Sequence, residues 1–436
     1  MTRIKRQGIV EKLKGTHARD LFTRLYGEKN IDKQVDRYIR LIDNFYKCFT
    51  DTADEAQLFS SPGRTELGGN HTDHNHGRVI AAAVNFDSIA AVNRTDDNTI
   101  ALYSEGYEGV FRVELASLEV NKSEQETTNA LIRGIAARFK QLGYNIGGFN
   151  AYVSSNVLGG SGLSSSASIE ILIGAILSGL YNDNKVGAKE LAMIGQYAEN
   201  VYFNKPCGLM DQMACAVGGL VSIDFKNEGK PFVRKIDFDL DKVGYSLLVV
   251  DTGGSHADLT EDYANIPQEM KKVASSLGKD VLREVEDKDL IKNIKSLREK
   301  VGDRAILRAI HFLSEDRRAK EQFMALQEGR FEDFLRMVKE SADSSWKYLQ
   351  NVYTNQRPEE QGLTLALALT EGFIKKKGYG ACRVHGGGFA GTIQAYIKIE
   401  QVEEYRTFIE EVFGENSATV LSFRPYGSLY LNPLLG

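Results

Sequence analysis

The sequence predicts an α+β protein built from two domains, on three observations. Val79 to Val92 is a nearly unbroken run of small and apolar residues, as a strand buried on both faces requires. Ile169, Leu172, Ile173, Ile176, Leu177 and Leu180 keep the three-and-four spacing of a buried helix face, directly after a Gly/Ser-rich turn. Toward the C-terminus the pattern runs helix, strand, Gly-rich turn, strand, helix, strand, the last two strands being Thr392–Lys398 and Ala418 to Arg424.

The elements follow in chain order. Residues 1 to about 20 are polar and read as a loosely held extension. Ala18 to about Thr50 has helical spacing, with Leu21, Tyr26, Tyr38, Leu41, Ile42, Phe45 and Tyr46 as apolar anchors. Leu58 to Arg64 is a strand entering a Gly-rich segment, and Thr99 to Leu102 and Val110 to Val113 are further strands. Thr127 to Leu142 places Leu131, Ile135, Phe139 and Leu142 on one helix face, and Phe149, Ala151 and Val153 alternate as a half-buried strand should. Gly187 to Phe203 is helical, and Asp211 opens a shorter helix. Leu220 to Phe225 and Ser246 to Asp251 are strands. Gln268 to Gly329 is charged, helically spaced and free of proline, so several helices follow one another there. The domain boundary is expected near residue 240, giving an extension over 1–20 and domains over 21–240 and 241–436.

Composition narrows the function classes. With 436 residues, 42% hydrophobic and 26% charged, the chain has ample length for a core. A net charge of -5 argues against non-specific nucleic-acid binding, which needs a basic surface. Cys48, Cys207, Cys215 and Cys382 form no Cys-x-x-Cys pair and read as reduced thiols. No apolar run approaches the roughly 20 residues that span a bilayer, and the basic N-terminus lacks the apolar stretch of a signal peptide. A cytoplasmic protein without membrane contact is expected, as a monomer or weak homo-oligomer.

Gly160-Ser161-Gly162-Leu163-Ser164-Ser165-Ser166 lies between a strand and a helix. Glycines let the backbone approach a ligand, while the helix start offers unpaired N–H groups and a positive dipole end. The segment suits an anion such as a nucleotide phosphate. It lacks the Gly-Lys-Ser/Thr ending of a Walker A loop and is not a dinucleotide fingerprint. A Ser/Gly loop that merely caps a helix has the same look.

Three segments in order, SSPGRTELGGNHTDHNHG (60–77), GGSGLSSSAS (159–168) and RVHGGGFAG (383–391), resemble the three-motif pattern of the GHMP kinases. The first resembles the galactokinase signature, and PCGLMDQMACAVGG (206–219) resembles the galactokinase stretch carrying the catalytic aspartate. The resemblance runs from about Phe22 onward. It implies a two-domain GHMP kinase fold, with a ribosomal-protein-like N-terminal domain, a ferredoxin-like C-terminal domain and the active site between them. It further implies an ATP- and Mg²⁺-dependent kinase acting on the anomeric hydroxyl of galactose or a relative such as arabinose, galacturonate or N-acetylgalactosamine.

By the same resemblance Asp211 takes the hydroxyl proton and Arg64 lies beside it. Gly160, Ser161, Gly162, Leu163, Ser164, Ser165 and Ser166 hold ATP, and Ser165 and Glu199 hold Mg²⁺. Glu66, Asn70, His71, Asp73 and Tyr263 face the sugar, and the Gly386 to Gly391 turn supports the site. Each role has a plainer counterpart: a helix-start acid for Asp211, a structural ion pair for Arg64, an exposed helix charge for Glu199.

Several positions depart from the family pattern. Asn70 stands where a glutamate usually reads the sugar near C6, and Glu66 where an asparagine is usual, so C6 is expected to be read differently. His74 and His76 replace a tyrosine and a glycine, Leu158 a proline, and the arginine expected soon after Tyr263 is absent. Two rival classes are a metal-dependent hydrolase using His71, Asp73, His74 and His76, and a non-catalytic sugar sensor. Such sensors lose the Ser-Ala after the phosphate loop, which Ser166-Ala167 keeps here.

Overall fold

Three helices open the chain, α1 (Thr2–Lys14), α2 (Thr16–Tyr26) and α3 (Ile31–Cys48). The strands β1 (Gln57–Gly68), β2 (Arg78–Arg94), β3 (Thr99–Ser104) and β4 (Phe111–Glu114) follow. Next come α4 (Thr128–Gln141), β5 (Phe149–Ser155), α5 (Ser165–Tyr181), α6 (Ala188–Tyr197) with a π turn over Ala198–Phe203, and α7 (Met210–Val217). After β6 (Leu220–Asp224), β7 (Phe232–Ile236) and β8 (Tyr245–Asp251) stand four helices: α8 (Thr260–Ser276), α9 (Asp287–Val301), α10 (Asp303–Gln327) and α11 (Phe331–Ser344). The chain ends with α12 (Gly362–Lys377), β9 (Ala381–Val384), β10 (Thr392–Lys398), α13 (Val402–Phe413), β11 (Ala418–Leu421) and β12 (Leu429–Tyr430). This computed structural model describes residues 2–50, 55–157, 159, 162–205, 207–227, 229–254 and 259–436.

The first sheet has eight strands in the order β12-β1-β2-β5-β3-β4, with β6 pairing the start of β2 and β7 pairing β6. The long apolar run of β2 is explained by what covers each face. Ala90 and Val92 pack with α4 to α7, whereas Ile89 and Ala91 pack with α1 to α3. Nearer its start Val79 and Ala81 join the first group, and Ile80, Ala82 and Val84 meet α11 and the second sheet. Alternate side chains are thus buried on opposite faces, so the strand is apolar on both faces over Val79–Val84 and Ile89–Val92.

The second sheet is antiparallel with order β11-β8-β10-β9. In chain order of its own four strands this is 4-1-3-2, the ferredoxin-like arrangement, with helices between the first and second and between the third and fourth. The expected α+β, two-domain GHMP kinase fold is the observed one.

Two expectations need correction. The N-terminus is no loose extension: α1 is regular, and Ile9 and Leu13 are completely buried against the α3 side of the first sheet. Its polar composition hid a narrow apolar stripe. The final residues do not stay with the second domain either. β12 pairs Tyr430 with Phe59 and Leu429 with Ser60 on β1, and Leu431 and Leu435 pack among α2 and α3. Arg424, fully enclosed, reaches Asp87 Oδ2 at 2.9 Å and so fastens the tail to the first sheet.

Candidate active site

Arg64 sits on β1 between two irregularities, where the register against β2 shifts between Pro62 and Arg64 and again between Glu66 and Gly68. Such bulges re-aim side chains. Gly63 permits the approach of the phosphate loop, since a Cβ there would stand 2.8 Å from the Leu163 carbonyl oxygen. The Arg64 N–H donates to that carbonyl at 2.9 Å, and its Nη1 donates to the Gly162 carbonyl. The guanidinium then grips Asp211 with two bonds, Nε to Oδ1 and Nη2 to Oδ2, both 2.6 Å. Ser164 Oγ adds a bond to Asp211 Oδ2 at 2.7 Å.

Asp211 lies in the first turn of α7, where the helix dipole favours an anion. Burial resists its ionisation, but the Arg64 charge, the two Arg64 bonds and Ser164 prevail and hold the carboxyl below its usual range. Its side chain keeps 31% exposure against 8% for Arg64, so the carboxylate faces the opening and the guanidinium stands behind it.

Ser164 adopts left-handed backbone angles (φ +59°) and hands the chain into α5, whose first internal bond runs from Ser168 N to Ser164 O. The N–H groups of Ser165, Ser166 and Ala167 precede that bond and form the unpaired helix start. Ser165 and Ser166 are half-buried. Leu163 is 1% exposed and anchors the loop in the core beside Val157, so its side chain is no ligand. Gly160, Ser161 and Leu158 fall outside the described residues.

Asp73 comes close to the loop that precedes Asp211. A Cβ on Gly208 would lie 1.8 Å from Asp73 Oδ2, so only glycine fits there. Burial, then the Asp211 charge, pushes the Asp73 carboxyl up to about 6, while the His74 N–H donates to Oδ1 at 2.9 Å. Glu199, at the π turn after α6, is 3% exposed. Its Oε2 accepts from Gln212 Nε2 at 2.8 Å and its Oε1 from Lys205 Nζ at 3.1 Å.

The remaining expected sugar ligands lie elsewhere. Asn70 is fully enclosed: Nδ2 donates to Gly386 O at 2.7 Å and Glu66 Oε1 at 3.1 Å, and Oδ1 accepts from Asn351 Nδ2 at 3.0 Å. Glu66 forms an ion pair with Arg383, itself completely buried. Enclosure raises the Glu66 carboxyl, and the Arg383 and Arg64 charges pull it back. His71 Nε2 lies 2.9 Å from Gly387 O and must donate, because a carbonyl only accepts. Burial lowers its imidazole to about 4, so the ring is neutral. Tyr263 OH donates to Gly388 O at 2.7 Å. Three successive glycine carbonyls are therefore held by Asn70, His71 and Tyr263. Asn70 and Glu66 are buried where the two domains meet, and the bonds described for them run to protein groups. Among the described residues no three His, Cys, Asp or Glu side chains gather as a metal centre, and His71 is already engaged by Gly387.

Arg383, Asn351, Gln212, Lys205 and Glu170, whose Oε2 accepts from Gln212 Nε2 at 2.9 Å, carry no expectation from the sequence. Arg383 lies in RVHGGGFAG and Gln212 in PCGLMDQMACAVGG, and Glu170 is an acid within the apolar run of α5. Nothing in the sequence marked Asn351 or Lys205.

An anion-binding helix start facing an arginine-held aspartate, on this pair of sheets, defines a small-molecule kinase of the GHMP class. Residues 130–219 match the description GHMP kinases N terminal domain, and residues 43–94 match the galactokinase galactose-binding signature. A crystal structure of Lactococcus lactis galactokinase complexed with galactose superposes with a TM-score of 0.76 at 25% identity, covering 89% of this chain and 98% of that one. A Methanococcus jannaschii mevalonate kinase shares the fold at TM-score 0.60 and 18% identity, covering 85% and 99%. The galactokinase of Streptomyces coelicolor is 30% identical over 83% of this chain and 90% of its own length, and that of Lactococcus lactis 29% over 86% and 91%. The chain belongs to the galactokinase family, and so to the sugar-kinase phosphotransferases.

Proposed function

We propose that this chain moves the γ-phosphoryl group of ATP to the anomeric hydroxyl of galactose, with Asp211 as the proton acceptor. The observation that carries the reading is the Arg64–Asp211–Ser164 constellation at the mouth of the phosphate loop. The hydroxyl oxygen forms a bond to the γ-phosphorus, the bond from that phosphorus to the β–γ bridging oxygen breaks, and ADP leaves with its electron pair. The hydroxyl proton passes to Asp211, which Arg64 keeps ionised at neutral pH. Proton transfer to a placed carboxylate contributes about 10²–10⁴ in rate. The backbone N–H groups that open α5, with the Ser165 and Ser166 hydroxyls, cradle the phosphates. Asp73 accepts from ring hydroxyls of the sugar. His71, Tyr263 and Asn70 act through the glycine turn they hold, and Glu66 acts through Asn70 and Arg383.

Ser165 and Glu199 would hold Mg²⁺. The donor set fits a hard cation: an acidic oxygen that already faces an ammonium, and a helix-start hydroxyl, leaving phosphate and water to complete the shell. The bound ion neutralises phosphate charge. Residues 21–240 and 241–436, less the returning tail, form the two halves of the cleft. Cytoplasmic location and a monomer or weak homo-oligomer complete the reading. No helix among the described residues is long and apolar enough to cross a membrane.

A sugar panel with Mg-ATP, read by ADP release, tests this. Galactose should give the highest kcat/KM over arabinose, galacturonate and N-acetylgalactosamine. Preference for any of these over galactose, or ADP release indifferent to sugar, contradicts it.

A further inference from the structure

The cations around Asp211 are not equivalent. Arg64 has both outer nitrogens and Nε engaged, on Asp211 and the Gly162 carbonyl, and is nearly enclosed. Its two remaining N–H groups, one on each outer nitrogen, are fixed in the plane of a guanidinium that stands behind Asp211. Lys205 differs. Asn204, in the left-handed region (φ +67°), ends the π turn and folds the chain back, so that Lys205 N donates to Glu199 O at 3.1 Å. The side chain then lies over the same residue, with Nζ 3.1 Å from Glu199 Oε1. The Lys205 side chain is 61% exposed and that of Glu199 5%, so the ammonium sits on the solvent side of the acid.

The ammonium also reaches the reaction centre electrically. After Arg64, the Lys205 charge also draws the Asp211 carboxyl down. Gln212, adjacent to Asp211, holds the other oxygen of Glu199 at 2.8 Å, which locks the acid under the lysine next to the base. An ammonium has three donors, so a bond to Glu199 leaves two for an anion.

We propose that Lys205 is a phosphate-binding residue of this kinase, its ammonium contacting the terminal phosphate of the nucleotide between the α5 start and Asp211. This rests on the nucleotide reading given above and adds a residue to it. The contact offsets charge on the transferring group with a mobile ammonium on the solvent side, whereas Arg64 is fixed on Asp211. When the nucleotide is bound, the ammonium keeps one N–H on Glu199 Oε1 and turns the other two to phosphate oxygen.

Equilibrium calorimetry on the full chain tests the proposal, using the β,γ-imido analogue of ATP, ADP and galactose, each with and without Mg²⁺. Lys205→Met should weaken the analogue roughly tenfold or more, the loss expected for one charge-assisted bond. The loss should be smaller for ADP and absent for galactose. Lys205→Arg, which keeps the charge, should recover most of the affinity. Lys205→Met also leaves the buried Glu199 carboxylate without its cation, so melting is followed alongside and affinities are compared at a temperature where all variants are folded. Unchanged analogue binding in Lys205→Met overturns the proposal. Tighter binding with Mg²⁺ also overturns it, since the ammonium would then only obstruct Glu199. A wild-type chain that binds neither analogue nor ADP overturns the nucleotide reading along with it.

Discussion

The two sides of the cleft use similar residues to opposite ends. On the nucleotide side Arg64 and Asp211 form an ion pair that keeps one face open, with 31% of the aspartate side chain exposed. Along the seam between the domains Glu66 and Arg383 also form an ion pair, but the side chains are 4% and 0% exposed and every neighbour is a protein group. The first pair tunes a carboxylate for a ligand, and the second fastens β1 to β9. Motif content does not separate them, because both lie in segments that read as ligand-binding. Burial and hydrogen-bond saturation do.

That contrast predicts different failures. Asp211→Asn should cut kcat by roughly 10³ or more while leaving the melting temperature within a few degrees, because the amide cannot accept the proton yet fits the same space. Steady-state ADP release and calorimetric melting of the same preparation check both halves. Loss of fold together with activity would erase the distinction.

Arg383→Met should act in the reverse sense. It leaves Glu66 buried and unpaired, a change that costs about 3–5 kcal/mol. Denaturant unfolding should show that loss, while kcat per folded molecule stays within a few-fold of wild type. Asn70→Ala should cost less, about 1–3 kcal/mol, from the unpaired Gly386 carbonyl and Asn351 amide. It should also leave the ratio of galactose to 6-deoxygalactose turnover unchanged. A shift in that ratio would return Asn70 to the sugar.

The smallest effect concerns pH. Burial, then the Asp211 charge, pushes the Asp73 carboxyl up to about 6, and on protonation one of its oxygens becomes an O–H donor. KM for galactose should therefore rise as pH falls through about 6, and Asp73→Asn should abolish that inflection. Stability moves the other way. A raised carboxyl favours the fold fully below its unfolded value near 4, and that gain is lost as pH rises through 6. A pH-independent KM between 5 and 8 would show that Asp73 does not meet the substrate.

Much of this was legible in the sequence. An unbroken apolar run located β2, and the period-two and three-four patterns located β5, α4 and α5, because core burial dictates them. The order of the motifs indicated which segments share a cleft. What the sequence hid was long-range pairing. Arg424 is an ordinary tail residue until it meets Asp87, 337 positions away. Asn70 and Glu66 looked like altered sugar contacts because their partners, Asn351 and Arg383, lie 281 and 317 residues on. The helix α1 was missed since its apolar stripe is narrow, with Ile9 and Leu13 supplying its buried contacts to α3.

Phosphorus NMR of the product formed from galactose and ATP bears most directly on the claim that Asp211 deprotonates the anomeric hydroxyl. The account predicts one new phosphate resonance coupled to the anomeric proton, appearing in step with ADP and absent with Asp211→Asn. A phosphate on any other carbon, or orthophosphate alone, would contradict it.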